Sequence, residues 1–448
     1  MAKIDFLRKG LVMHAEGSEE FAAQQAAAYL AYIGRETVND GRTGAPRQLT
    51  EAETLPDGSQ HDVVAIYDNA GIPSIMHRFR RFTDKELFGG SEKVHPAFII
   101  GGEVYDEIFI SVYQNTMING RPYSLPMAEP VYNISADDFA EACFSKGEGW
   151  HCITAVEWGL LANISLALGT LPHGNTDCGK WHGDSAEKGM LIGNGPKTLT
   201  GSGPATWTHD HTETGVHDLC GNLWEHCRGM RIIDGRLQAA RNNDAALPET
   251  DLSENGGGWH AILDDAGRPL SVSVGGGITI TPEQEIKQDY NGCCWADVKI
   301  ESESEQLKEL AFYAGEPDAY CYMDSTEGEY ILYRGGRWGS GGHAGVFHSH
   351  APRWPGECRH ERWGPFRFLQ ETPYTGHRNT VRRAAARRGG GLTHEATEVC
   401  EARKAVRDML YLPPAGRRRL AGDEYGHLPG SRDAGNNRQR IYGRRAGL

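Results

Sequence analysis

The sequence has no long apolar run: nowhere in its 448 residues does an apolar stretch approach the ~18–20 residues needed to span a bilayer. With 39% hydrophobic residues and a mean hydropathy of −0.52, a soluble chain without membrane insertion is expected. The opening, Met1-Ala-Lys-Ile-Asp, does not have the charged and then apolar pattern of a secretory leader. Cytoplasmic synthesis is therefore expected, with any later exit by lysis, particle assembly or an unclassical route. Cysteine is present, ten residues, but without pattern, and the only close pair is the adjacent Cys293-Cys294. This excludes a spaced metal knuckle and a disulfide framework and leaves most of the thiols as buried side chains. No Ser-His-Asp order, phosphate loop or Glu-His metal helix stands out either.

Glycine is abundant, 57 residues, which favours many turns and close backbone crossings over a helical fold. The charge is uneven. Residues 370–448 hold 16 Lys and Arg against 8 Asp and Glu, so this stretch is +8 and the remainder of the net −14 is −22. An acidic body argues against nucleic acid as the main partner and leaves only weak polyanion contact through the basic tail. Three regions follow. Residues 1–65 read as a small assembly or connector module with one amphipathic helix over 18–33, capped by Ser18 and stopped by Gly34. Residues 66–369 read as short strands and loops with two helices. Residues 370–448 read as a weakly ordered basic tail, apart from a helix over 397–410.

In the middle region, Ser135 predicts a helix over 136–145. Thr154-x-x-Glu157 is a capping box that opens a second helix running to about Gly169, with Trp158, Leu161, Ile164 and Leu168 as its apolar stripe. Residues 171–217 show no period, and so long an irregular stretch in a compact domain points to a functional or scaffold-specific segment. In Asp218-x-x-Gly-Asn-x-Trp-Glu225 the glycine permits a tight turn, the Trp is placed to anchor the core, and Asn and Glu are placed to bond exposed backbone groups.

Three segments taken together carry a resemblance: Gly149-Trp-His-Cys-Ile-Thr-Ala-Val-Glu-Trp158, Gly215-Val-His-Asp-Leu-Cys-Gly-Asn-Leu-Trp-Glu225, and Leu332-Tyr-Arg-Gly-Gly-Arg-Trp338 ending in Gly364-Pro-Phe-Arg-Phe368. In this order they resemble the sulfatase-modifying, formylglycine-generating branch of the C-type lectin fold, over roughly two-thirds of the chain. His95-Pro-Ala-Phe-Ile-Ile, Tyr113-Gln-Asn, Leu199-Thr-Gly-Ser-Gly-Pro204 and Cys227-Arg-Gly-Met-Arg-Ile-Ile-Asp-Gly235 are similar to the phage and prophage subset, the variable proteins of diversity-generating retroelements. The resemblance implies an α+β, C-type lectin fold of two helices, short antiparallel strands and long loops.

In the enzyme branch the loop equivalent to 218–225 binds calcium. Carried across, the resemblance implies Asp218, the carbonyls of Gly221 and Leu223, and Glu225 as ligands, oxygen atoms that suit the ion. The alternative is that Asp218 and Glu225 only satisfy buried N–H groups. A formylglycine-generating oxidase further needs two reactive cysteines after the Arg-Gly-Gly, and aligned on Gly335-Gly336 those positions are Ser340 and Gly345. Neither supplies a thiolate, so a non-catalytic chain is expected.

Between Arg337 and Pro365 the sequence contains no Lys, Gln or Met, residues that an Asn codon ending in C or T does not yield when its adenines are changed. It is instead rich in His, Arg, Gly, Ser and Pro, while Trp354, Glu357, Glu361 and Trp363, which such a codon does not yield either, are fixed or come from other codons. The resemblance therefore implies Arg337, Gly339, Ser340, His343, His348, His350, Pro352, Arg353, Cys358, Arg359, His360 and Arg362 as varied, solvent-facing ligand-binding positions. Trp338, Ala344, Gly345, Val346 and Phe347 are expected to be scaffold. In an extended segment His348 and His350 share one face while Phe347 and Ser349 share the other. The expected function is recognition of a host cell-surface protein or glycan by a phage tail-fibre adhesin, on the virion or a bacterial surface. A homo-oligomer, a trimer by resemblance, and phage tail or chaperone proteins are the further expected partners.

Overall fold

The computed structural model describes residues 63–315 and 319–351, and outside them the backbone of the strands Ala2–Arg8, Leu11–Gly17, Pro46–Arg47, Thr375–Gly376 and Asn379–Arg382. Four helices lie among the described residues: α1 (Asp84–Phe88), α2 (Ala136–Phe144), α3 (Ala155–Leu168) and α4 (Glu305–Glu309). The two longer ones are those the caps predict. Ser135 Oγ accepts from Asp138 N, and Thr154 and Glu157 close the capping box with bonds of 3.3 and 2.9 Å. Gly169, at φ 71°, ends α3 in the left-handed region that glycine adopts without strain. The two five-residue helices add to the expected pair, and none of the described helices is long and apolar enough to cross a membrane.

Two large sheets carry the rest. Their strands, in chain order, are β1 (Val63–Tyr67), β2 (Pro73–Arg80), β3 (Glu107–Ser111), β4 (Trp150–Cys152), β5 (Trp224–Ile233), β6 (Arg236–Ala239), β7 (Ser271–Val274), β8 (Ile278–Thr281), β9 (Tyr290–Cys294), β10 (Tyr320–Asp324), β11 (Glu329–Gly335), β12 (Gly345–His350) and β13 (Asn379–Arg382). The smaller sheet runs β4, β13, β3, β2, β1 and then Pro46–Arg47, antiparallel throughout. The larger runs β9, β10, β12, β11, β5, β6, β7, β8 and then Lys299–Ile300, with His260–Ala261 beside β6 and Thr375–Gly376 beside β5. Its β10–β12 pair, its β8 pair with Lys299–Ile300 and its β5 pair with Thr375–Gly376 are parallel, a departure from the all-antiparallel expectation. The fold is α+β and mostly sheet.

Strand pairing crosses the boundaries expected at 65/66 and 369/370. β1 straddles the first and pairs with Pro46–Arg47, while β13 and Thr375–Gly376 lie past the second and pair with β3, β4 and β5. By compactness the chain divides into Met1–Gly389 and Gly390–Leu448, and every described residue belongs to the first unit. Ala2–Arg8 and Leu11–Gly17 pair as an antiparallel hairpin. The helices expected over 18–33 and 397–410 lie outside the described residues.

α3 is buried on all sides from Ala155 to Ser165 rather than along one stripe. It packs against β5, α1 and α4, so polar as well as apolar positions are enclosed. Gly159 permits this closeness: a Cβ there would lie 1.8 Å from the carbonyl oxygen of Glu309. Trp158, Leu160, Leu161 and Ile164 join Phe347, Leu332, Cys321 and Met323 in one core between helix and sheet. The stretch 171–217 is irregular as expected, with a 3-10 turn at Ala205–Trp207 and isolated bridges.

Candidate ligand-binding face

Strand register sorts the side chains of the larger sheet into two faces. Cys294 is opposite Tyr320, Tyr322 opposite His350, His350 opposite Tyr333 and Tyr333 opposite His226. Directly opposed residues project to the same side, and alternate residues along a strand do likewise. One face therefore holds Tyr320, Tyr322, His348, His350, Tyr333, Trp224 and His226. The other holds Cys321, Met323, Phe347, Leu332 and Cys227, all in the core.

Along part of the first face runs a row of rings with nearly parallel planes. His343 stacks on Tyr320 with centroids 4.7 Å apart, Tyr320 on His348 at 5.9 Å, His348 on Trp224 at 6.4 Å, and Trp224 on His350 at 5.0 Å. Tyr322 flanks His350 at 4.8 Å. The Arg337 guanidinium lies 5.8 Å from the Trp224 ring centre and 4.8 Å from that of Trp338, within the range of cation–π attraction. His348 Nδ1 donates to the His343 carbonyl at 2.7 Å, so its Nε2 carries a lone pair, and this buried nitrogen has no partner among the described residues. The Trp224 Nε1 donor is equally buried and has no partner among the described residues. Burial pushes His348 down to about 3 and His350 to about 4, so both rings are neutral at neutral pH.

Beneath this row the backbone is held from the core. Trp158 Nε1 donates to the Val346 carbonyl at 2.7 Å and Trp295 Nε1 to that of Phe347 at 2.9 Å, so consecutive carbonyls of β12 are fixed by two buried indoles. Arg334 donates to Ser349 Oγ and, at 2.8 Å, to the Leu310 carbonyl. Side chains on the ring face are thus mounted on a strand whose main chain is tied elsewhere.

Asn222 holds the preceding loop. Its Oδ1 accepts from Thr198 N and Asn175 Nδ2, its backbone N donates to the Asn175 carbonyl at 2.7 Å, and its own carbonyl accepts from Trp338 N at 3.1 Å. Its Nδ2 donates to Gln114 Oε1 at 3.0 Å, which fixes the orientation of that amide. Gln114 Nε2 then donates to Glu225 Oε1 at 3.0 Å and lies 3.3 and 3.4 Å from the carbonyls of Leu223 and Asp218. The Asp218 carboxylate faces elsewhere, with Oδ2 accepting from Gly201 N. Three of the four residues named as calcium ligands thus turn oxygens toward the Gln114 amide nitrogen, Asp218 and Leu223 with their backbone carbonyls and Glu225 with its carboxylate. Among the described residues no group of three or more His, Cys, Asp or Glu side chains is set to hold a metal.

Of the positions expected to vary, Gly339 and His343 are exposed, and Arg337, Ser340 and His350 are half-buried. His348 is a correction: at 2% exposure it is enclosed among its ring neighbours, not solvent-facing. Pro352, Arg353, Cys358, Arg359, His360 and Arg362 lie outside the described residues. Ala344, Val346 and Phe347 are buried and Trp338 and Gly345 half-buried. Trp224, read from sequence as a core anchor, is half-buried on the ring face, while its neighbour Glu225 points to the interior. Tyr320, Tyr322 and Tyr333 were not singled out. The signal was the same alternation that paired His348 with His350, present in Tyr320-x-Tyr322 and Trp224-x-His226. Compared with known proteins, the chain matches no family model and no curated protein.

Proposed function

We propose that this chain is a hypervariable binding protein of the diversity-generating retroelement type, in which a C-type-lectin-like frame of the formylglycine-generating kind presents a changeable surface to a host cell-surface protein or glycan. The observation that carries the reading is the ring face itself: side chains of β12 and its neighbours project away from the core while the carbonyls of Val346 and Phe347 are held by Trp158 and Trp295. Such mounting lets outward side chains change without moving the strand.

The face is composed of Tyr, Trp, His and Arg, and Tyr, Trp and Arg are the types that dominate the centres of interfaces. Among the described residues the accessible variable set consists of Arg337, Gly339, Ser340, His343 and His350; the other positions named, from Pro352 to Arg362, lie outside them. A non-catalytic role is supported by Ser340 and Gly345, which stand where the oxidase chemistry needs thiols. A phage or prophage tail fibre bearing several copies, as a trimer, raises weak single-site contacts to firm attachment. The test is to replace Arg337, Gly339, Ser340, His343 and His350 with another set and measure binding to a panel of bacterial surfaces. A changed target supports the reading, and an unchanged target overturns it.

A further inference from the structure

Cys293 and Cys321 are direct register partners in the antiparallel pair β9–β10. Opposed residues in such a pair have Cα atoms about 4.5–5.5 Å apart. A disulfide spans about 4.4–6.8 Å. Both side chains project to the core side, since Cys321 belongs to the core and Cys293 packs against it. Both are reduced thiols here, Cys321 fully buried and Cys293 partly exposed. Cys294 is opposite Tyr320 and projects to the ring face, which removes it from the pair.

We propose that Cys293 and Cys321 are a redox-modifiable pair that closes to a cross-strand disulfide when the protein meets a small-molecule disulfide, such as oxidised glutathione outside the reducing cytoplasm. Cys293, the accessible member, loses its proton and attacks one sulfur of the oxidant, and one glutathione thiolate leaves. Cys321 then loses its proton and attacks the Cys293 sulfur of the mixed disulfide, expelling the second glutathione. Two protein thiols are oxidised, one glutathione disulfide is reduced to two thiols, and the two protons pass to the departing thiolates. Burial raises both protein thiols above the ordinary range, so closure is slow at neutral pH and faster in mild alkali. The link ties β9, at the edge of the larger sheet, to the strand that carries Tyr320 and Tyr322. This chemistry goes beyond the binding reading and does not depend on which ligand is recognised.

The folded full-length protein is incubated with oxidised glutathione at pH 8, alkylated and mapped by mass spectrometry without reduction. The expected result is an intrachain Cys293–Cys321 link, retained in Cys294→Ser, absent in Cys293→Ser, reversed by a thiol reductant, and accompanied by a higher Tm. A Cys293–Cys294 link, a link between two chains, or a stable glutathione adduct on Cys293 with Cys321 still reduced each overturns the proposal. Should Cys293→Ser fail to fold, the wild-type and Cys294→Ser maps decide between these outcomes.

Discussion

The indole N–H of Trp158, in the buried helix α3, donates to the carbonyl oxygen of Val346, 188 residues further along the chain, at 2.7 Å. Replacing Trp158 by Phe leaves that buried acceptor unsatisfied, and a loss of about 1–3 kcal/mol of stability is expected from this alone. Urea unfolding of the variant checks it. A midpoint equal to wild type would mean that the bond does not hold β12.

Gly159 gives a prediction of sign. In an exposed helix interior, Gly to Ala stabilises by about 1 kcal/mol. Here the added methyl meets the Glu309 carbonyl oxygen at 1.8 Å, a contact with backbone that has no flexible end to move away. Gly159→Ala is expected to lower the Tm, and a rise would contradict the close approach of α3 and α4.

Gln114 sits where the resemblance placed calcium. Gln114→Ala deprives the buried Glu225 carboxylate of a donor at 3.0 Å and is expected to cost about 1–3 kcal/mol. Calorimetry of the wild type with excess calcium and then with a chelator is expected to give one and the same Tm. A calcium-dependent shift of several degrees would restore the ion to the 218–225 loop.

Acid is expected to destabilise the fold through its enclosed imidazoles. Burial lowers His95 and His348 to about 3 and His226 and His350 to about 4. The unfolded value is about 6.5. Between these values the unfolded chain binds more protons, so the contribution is complete above about pH 6.5 and is lost as the pH falls. Asp84 works in the opposite direction. It is raised to about 8 by burial and then by the Glu309 carboxylate, so its contribution is complete below the ordinary carboxylate range and is lost as the pH rises through 8. A difference between proteins isolates one ring: near pH 5, His348→Asn is expected to lower the slope of stability against pH by about 1.4 kcal/mol per unit. Identical slopes would mean that His348 takes up its proton without leaving the fold.

What the sequence made legible was local. Ser135, Thr154 with Glu157, and Gly169 set the two longer helices to within a residue, because caps act over three or four neighbours. The capping box at Thr83 and Glu86 has the same form but opens a helix of only five residues, too short to show an apolar period. The shared face of His348 and His350 followed from alternation, but the burial of His348 did not, since it depends on Tyr320 and Trp224 arriving from other strands. Trp224 was assigned to the wrong side for the same reason: only its register beside β11 turns Glu225 inward and the indole outward. Gln114 lies more than a hundred residues from the loop it bonds, beyond the reach of any spacing argument.

On the proposed reading, recognition and shape are separable on this frame. The most direct test takes a protein with Arg337, Gly339, Ser340, His343 and His350 exchanged together and measures its Tm and its binding to bacterial surfaces side by side with the wild type. A Tm within a few degrees of the parent and a different bound surface are expected. An unchanged target, or a collapse of stability such as Phe347→Ala is expected to cause at about 3–5 kcal/mol, would contradict the reading.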